Sequence, residues 1–238
     1  MNRPDKKNAA NAVMWRELLE CFREVTNQTS DRVVVLTGAG GAFCSGADLT
    51  SVGSGDPRSL MGQLGEVALA LHRLPKPTIA KVHGVAAGAG CNLALGCDLI
   101  VASGEARFSE IFVRRGLSID FGGSWLLPRL VGLHRAKELA FFADMISADE
   151  AVELGLVNRV VPSADLDQFV DRWARRLASG PPIALSMTKS LLNQSFEVTL
   201  AHAVEDEGRC QVLNISTADS AEALAAFIDR REPRFEGR

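Results

Sequence analysis

The sequence has no excess of charge of either sign and no long apolar run. Its 26 basic and 29 acidic residues give a net charge of −3, so a nucleic-acid or anionic-membrane partner has no support. The N-terminal segment lacks the apolar stretch of a signal peptide, and no run reaches the ~18 residues of a membrane helix. These absences predict a soluble, cytoplasmic protein that binds neither nucleic acid nor membrane.

Spacings typical of metal sites and disulfides are also missing. The five cysteines, at positions 21, 44, 91, 97 and 210, are odd in number and the only close pair has five residues between its members. Three of the four histidines lie in segments with a helical pattern and no metal-ligand spacing. We therefore expect no metal and no disulfide framework, and free thiols suit a reducing compartment.

What the chain does have is apolar content, at 47% against 23% charged residues, which is enough for one globular domain with a sizeable core. The β-branched runs "RVVVLTG", "PTIAKVHG" and "LIVAS" predict buried strands, and helical patterns separate them. Alternation of this kind favours an α/β fold with parallel strands. We predict a core over residues 1–180 and a helical region over residues 181–238, with one continuous helical run from about Thr199 to Arg230.

Two glycine-rich segments are the first functional candidates. "LTGAGGAFCSGADL" follows a predicted strand, and "HGVAAGAGCNLALGCD" opens a helix near Gly88 and Ala89. Neither is a Walker loop, and the first lacks the glycine spacing of a dinucleotide-binding turn. Small residues leave backbone N–H groups free to face a ligand, and a helix N-terminus adds a positive dipole end. A tight turn packed under a helix explains each segment equally well when it is taken alone.

One carboxylate, Asp120, lies in the apolar segment "GLSIDFGGSWLLPR" between Ile119 and Phe121. Loss of hydration there raises the pKa of a carboxyl group and makes it a better base. The alternative is that Asp120 caps a helix beginning at Gly122. We favour the catalytic interpretation, since an acid among apolar, ligand-lining residues such as Trp125 is a functional-site candidate.

Taken together, six segments resemble the enoyl-CoA hydratase/isomerase (crotonase) superfamily in order and spacing. They are "LTGAGGAFCSGADL", "HGVAAGAGCNLALGCDLIVAS", "ARFSEIFVRRGL", "GGSWLLPRLVG", "ISADEAVELGLVNRVVP" and "AFIDRREPRFEGR". The resemblance implies the ClpP/crotonase-like fold of strand-strand-helix units, and C-terminal helices that assemble a homotrimer or a dimer of trimers. It also implies an acyl-CoA thioester substrate and no cofactor beyond the coenzyme A of that substrate.

The resemblance also implies roles for individual residues. The backbone N–H groups of Ala47 and Ala89 form an oxyanion hole for the thioester enolate, and Asp120 is the catalytic acid–base. Asp48 holds the loop that presents Ala47. The predicted substrate-binding positions are Asp48, Leu49, Gly88, Asn92, Phe112, Phe121 and Trp125.

The chain departs from the hydratases of this family at both glutamates that hold and activate water, which are replaced by Asn92 and Phe112. Glu110 is no substitute if its segment is an α-helix, because two residues rotate a side chain by ~200°. We expect it to be solvated or in an ion pair. "SIDFGGSWLLPR" is most similar to the ring-opening isomerases of phenylacetate degradation, which place a catalytic aspartate at the position of Asp120.

The predicted activity is therefore enoyl-CoA isomerisation by proton transfer through Asp120. Three alternatives stay open: hydration with water activated by Asp120, displacement with Asp120 as nucleophile as in aryl-CoA dehalogenases, and acyl-CoA binding without catalysis. The acyl group is not specified, since pocket shape depends on a variable loop around residues 50–66. Relatives carry a strand or two before "NRPDKKNA", so either the start codon is misplaced or the first sheet lacks an edge strand.

Overall fold

The computed structural model describes residues 1–50 and 56–238. The strands are β1 (Val34–Leu36), β2 (Thr78–Val82), β3 (Val85–Ala87), β4 (Leu99–Ser103), β5 (Arg107–Ser109), β6 (Ile146–Ser147) and β7 (Arg159–Val161). The α-helices are α1 (Ala12–Asn27), α2 (Pro57–His72), α3 (Ala89–Leu95), α4 (Gly123–Val131), α5 (Leu133–Phe142), α6 (Ala148–Glu153), α7 (Leu166–Ala178), α8 (Pro182–Gln194), α9 (Leu200–Ile215) and α10 (Ala218–Asp229). Short 3-10 helices cover Pro4–Lys6, Ile111–Arg115 and Ser163–Asp165.

The strands form two sheets. In the first, the order is β1-β2-β4-β7 and every pair is parallel. In the second, the order is β3-β5-β6, with β3 and β5 parallel and β6 antiparallel. From β2 to β5 the strands alternate between the sheets, so β2, β3 and α3 form one strand-strand-helix unit, and β4, β5 and α4 form another. The predicted α/β class with parallel strands is confirmed.

Helix α1 shows how the apolar pattern builds the core. Its buried stripe is Met14, Trp15, Leu18, Leu19 and Phe22, and the side chain of Asn11 accepts a hydrogen bond from Met14 N at its N-terminus. Residues three and four positions apart share a helix face, so this spacing turns one stripe to the core. The same cluster includes Ala80 and Val82 of β2, Ile100 and Ala102 of β4, and all the apolar residues of α3.

The structure confirms the predicted strands at 34–36, 78–82 and 99–103 and corrects two expectations. Residues 57–66 belong to helix α2 and not to a loop, because Asp56 caps a helix that begins at Pro57. The expected helix from Thr199 to Arg230 is two helices, since Thr217 ends one run and caps the next. The part of the expected loop at 51–55 lies outside the described residues.

The C-terminal region contacts the core through α8 and through the chain end, where Arg32 donates to the carbonyl of Phe235 at 3.0 Å. Lys189 of α8 pairs with Asp98 at 2.8 Å, and Asn193 donates to the carbonyl of His72. Neither α8 nor α9 contributes a buried residue. The apolar side chains of α8 are mostly half-buried, whereas those of α9, such as Leu200 and Val212, are largely exposed within the single chain. Residue 180 as a domain boundary stays a prediction.

Within the described ranges, none of the helices is both long and apolar enough to cross a membrane.

Candidate active site

Two backbone segments meet where the sheets approach each other. Cys44 N donates to Val85 O and Ala87 N donates to Cys44 O, both at 3.0 Å, so the first glycine-rich segment lies against β3. A Cβ on Gly90 would lie 2.3 Å from Cys44 O. Only glycine allows α3 to begin this close to the neighbouring backbone.

The contact brings together two amides of interest. Within residues 1–50 and 56–238, the backbone N–H groups of Ala47 and Ala89 donate to no acceptor. A Cβ on Gly46 would be 3.7 Å from Ala89 N, so the turn before Ala47 lies against the start of α3. Gly88 takes the left-handed backbone, with φ at 54°, and Ala89 is the first helical residue. An alanine at position 89 therefore carries no backbone strain.

Asp48 anchors the loop that contains Ala47. Its carboxylate pairs with Arg3 at 2.8 Å and accepts hydrogen bonds from Thr50 N and Oγ1. The bonds from Thr50 and then from Arg3 lower the pKa of Asp48 to about 2, so the group is ionised. Its neighbour Leu49 is half exposed. Substrate contact by Asp48 and Leu49 stays a prediction.

Asp120 precedes α4 but does not cap it. The helix begins at Gly123 with Gly122 at its N-cap, where no side chain accepts a hydrogen bond. The helix-cap alternative is therefore wrong for the described structure. Asp120 is half-buried, its Oδ1 is buried and has no partner among the described residues, and burial raises its pKa to about 6.

The turn that carries Asp120 is strained. Phe121 has φ at 51° and Gly122 has φ at 78°, two successive left-handed residues of which one has a bulky side chain. The Phe121 ring is buried and packs on Trp15 with ring centroids 5.3 Å apart. Strain of this kind persists where surrounding contacts enforce it, and it clusters at functional sites.

Glu110 is the residue that sequence reasoning misjudged. It is 3% exposed, no ion pair involves it among the described residues, and burial raises its pKa to about 7. The rotation argument fails because the segment is not an α-helix: Glu110 follows β5 and precedes a 3-10 helix. The alternation of the strand gave the missed signal, since Phe108 faces the core and Glu110 lies two residues further on.

Asn92 of α3 connects Glu110 to the Asp120 turn. Its Nδ2 donates to Glu110 Oε2 at 3.3 Å and to the backbone carbonyl of Asp120 at 2.9 Å. A Cβ on Gly123 would lie 2.3 Å from Nδ2, so glycine at the start of α4 makes room for the amide. Asn92 therefore holds the turn and has both of its donor hydrogens directed at protein groups.

Apolar groups surround the start of α3. Phe112 is buried, and its ring would lie 3.7 Å from a Cβ placed on Gly88. A cavity of about 700 Å³ lies between α2, α4 and α8 and is lined by Phe121 and Trp125 among others. Asp120 is not among its described lining residues. The cavity therefore adjoins the turn after Asp120, at Phe121 and Gly122.

Other reactive groups near the site are held in neutral form. Burial raises the pKa of the Cys44 thiol to about 11 and that of Cys91 further above its usual range, with Glu110 adding to the latter shift. Among residues 1–50 and 56–238, no group of three or more potential metal ligands is present. The carboxyl groups able to exchange a proton near neutral pH are thus Asp120 and Glu110.

Comparison with known proteins agrees with this architecture. The profile of the family described as "Enoyl-CoA hydratase/isomerase" matches residues 1–238. The 1,2-epoxyphenylacetyl-CoA isomerase of Escherichia coli K12 is 38% identical over all of this chain and 94% of its own. The short-chain-enoyl-CoA hydratase of Clostridium acetobutylicum is 36% identical, covering 98% and 90% of the two chains.

The fold is also closely similar to that of a solved structure. The crystal structure of an enoyl-CoA hydratase from Bacillus anthracis superposes with a TM-score of 0.95 at 33% identity, covering 99% of this chain and 93% of that one. The resemblance drawn from the sequence motifs and the crotonase fold it implied are confirmed. This chain is an enzyme of the enoyl-CoA hydratase/isomerase family.

Proposed function

We propose that the protein is an enoyl-CoA isomerase in which Asp120 moves one proton. The observation that carries the proposal is the Asp120 carboxyl itself: half-buried, with a buried and unpaired Oδ1, and with a pKa raised to about 6. A base of this strength is mostly ionised at neutral pH and still close enough to neutrality to return its proton. The strained turn at Phe121 and Gly122 sets the direction of the Asp120 side chain.

One carboxyl group is sufficient for the reaction, since the proton removed from one carbon is returned to another. Asp120 removes a proton from the carbon next to the thioester carbonyl of a 3-enoyl-CoA, leaving a conjugated enolate. The unpaired N–H groups of Ala47 and Ala89 stabilise the enolate oxygen, at about 3 kcal/mol for each donor. Asp120 then delivers the proton two carbons further along, and the double bond has moved. Coenzyme A enters as part of the substrate, and the proposal uses no other cofactor.

A second candidate is hydration, because Glu110 supplies a second buried carboxyl beside Asn92 and several relatives are named hydratases. In that case Asp120 would activate a water molecule. Displacement at Asp120 and acyl-CoA binding without catalysis have no observation in their favour. The family shown by the comparisons contains both isomerases and hydratases, so the reaction has to be measured.

The test is product analysis by mass spectrometry in D₂O with 3-enoyl-CoA and 2-enoyl-CoA substrates. We expect double-bond migration with deuterium uptake in the wild type and a loss of at least about 10³-fold in Asp120→Asn, since the amide takes no proton. The control is Asp165→Asn, which changes an exposed aspartate. A product that gains the mass of one water, or an active Asp120→Asn, contradicts the assignment.

We further propose that copies of the chain assemble through the C-terminal helices, as a trimer or a dimer of trimers. Helices α8 and α9 have no fully buried residue within one chain, and α10 exposes Phe227 at 83% and Ile228 at 70%. Exposed apolar surface of this extent marks an interaction site. The five free cysteines support the cytoplasm as the compartment in which the enzyme acts.

A further inference from the structure

Three buried oxygen atoms around Asn92 are left without a hydrogen bond in the described part of the chain. Asn92 Oδ1, Glu110 Oε1 and Asp120 Oδ1 are each inaccessible to solvent and have no hydrogen-bond partner among the described residues. An amide oxygen and two carboxylate oxygens are all acceptors, and acceptors do not bond to one another. A buried polar atom without a partner is costly, so the cluster needs a donor.

A proton on one of the two carboxyl groups supplies that donor, and the surroundings favour Glu110. Glu110 is 3% exposed, whereas Asp120 is half-buried. The titratable groups that act on Glu110 are Cys91 of α3 and Asp120 of the turn before α4. The thiol of Cys91 is neutral, since its own pKa lies well above the usual range. Asp120 therefore brings the only nearby charge among the described residues.

We propose that Glu110 is a positioning residue that carries a proton in the resting enzyme, and that this proton supplies a donor to the acceptors around Asn92. Asp120 alone then carries the charge that accepts the proton of the substrate. The raised pKa values agree with this order, since that of Asp120 is about 6 and that of Glu110 about 7. The two groups interact, so they lose their protons in two steps that belong to the pair.

Two consequences can be measured. Above about pH 7 a second negative charge appears beside Asp120 and opposes the enolate, so kcat/KM declines. Separately, the folded state binds the Glu110 proton more tightly than the unfolded chain, whose glutamate titrates at about 4.3. Protein stability therefore falls as the pH rises from about 4.3 to about 7. The first consequence rests on the proposed function and the second does not.

The experiment compares the wild type with Glu110→Gln, which keeps the shape of the neutral acid and cannot ionise. The control is Glu17→Gln, which changes an exposed glutamate of α1. We expect the fall in Tm between pH 5 and pH 8 to be smaller in Glu110→Gln than in the wild type and the control. We also expect the decline of kcat/KM above pH 7 in the wild type and the control, about tenfold per pH unit, to be absent in Glu110→Gln.

Equal falls in Tm in all three proteins would overturn the proposal, and so would a decline of kcat/KM in Glu110→Gln that matches the wild type. If Glu110→Gln does not fold, infrared spectra of the Asp120→Asn protein decide the matter. A carboxylic-acid C=O band that titrates near pH 7 supports a neutral Glu110, and its absence at pH 6 refutes it. A wild type without isomerase activity would refute the proposed function, and the Tm comparison would still decide the protonation of Glu110.

Discussion

The acidity of Asp120 is set by the position of its carboxyl group and not by a charged partner. Burial is the cause of the raised pKa, and the neighbours that the sequence places beside it, Ile119 and Phe121, are apolar. Asn92 donates to the backbone carbonyl of Asp120 and not to its carboxyl group. A carboxylate that is partly desolvated and has no cationic partner keeps its basicity, which is what a proton-transfer residue requires.

A substitution at Gly123 tests how far the Asp120 turn depends on the position of the Asn92 amide. A Cβ at position 123 would lie between 2.3 and 2.6 Å from three atoms of the Asn92 amide, so Gly123→Ala must displace the amide from Glu110 and from the turn. We expect the free energy of unfolding to fall by about 1–3 kcal/mol. The matched control is Gly62→Ala in α2, where a Cβ meets nothing within 4 Å and helix propensity predicts a gain of about 0.5–1 kcal/mol.

Denaturant unfolding of both variants beside the wild type measures the difference. A Gly123→Ala protein as stable as Gly62→Ala would mean that Asn92 and the Asp120 turn adjust freely to each other. The turn would then not be the rigid support that the left-handed backbone of Phe121 indicates.

At the scale of elements, the site depends on how closely α3 approaches the first glycine-rich segment. The parallel bridge between Cys44 and Ala86 fixes the segment on β3, and Gly90 permits the close contact. Ala47 and Ala89 are distant in sequence, and this single contact makes them neighbours. A short helix can present its first N–H group because no preceding turn of helix accepts it.

The substitution Ala89→Pro removes the backbone N–H group of residue 89 and so tests its role directly. Ala89 is the first residue of α3, where proline is tolerated because its φ suits a helix and the N–H has no partner among the described residues. We expect kcat to fall by about 10²–10³-fold, as for loss of one oxyanion donor, with Tm changed little. Steady-state kinetics and a thermal scan on the same preparation provide the measurement. Unchanged kcat in a folded variant would remove Ala89 from the oxyanion hole.

Sequence patterns predicted the elements of this fold better than they predicted its site. The β-branched runs at 34–36, 78–82 and 99–103 are strands because a buried parallel strand needs no alternation. Glu110 was misjudged because its surroundings depend on the local geometry, a strand followed by a 3-10 helix, which the periodicity of one segment does not determine. Asn92 was predicted at the site, but its two donor bonds depend on the placement of α4.

Across the whole molecule, apolar side chains are buried in the core and largely exposed in the C-terminal helices α9 and α10. The core buries its apolar residues, while α9 exposes Leu200 at 81%, Val212 at 70% and Ile215 at 71%. Burial of an apolar side chain stabilises a fold by roughly 1.5–3 kcal/mol. Helix α9 has no fully buried residue, so few contacts stabilise it in an isolated chain. Assembly of several chains would supply the missing contacts and stabilise each C-terminal region at the same time.

Phe227 is the most exposed large apolar residue of this region, at 83%. If α10 lies in an interface between chains, Phe227→Glu places a charge where the partner removes water, and the assembly loses both burial and solvation. We expect analytical ultracentrifugation to give the wild type a mass of three or six chains of 25.5 kDa, and Phe227→Glu a mass near one chain. Val13→Glu on α1, at 46% exposure, is the control and should assemble as the wild type does. A wild type of one chain at micromolar concentration, or a Phe227→Glu protein that still assembles, would show that the exposed face of α10 is not where the copies meet.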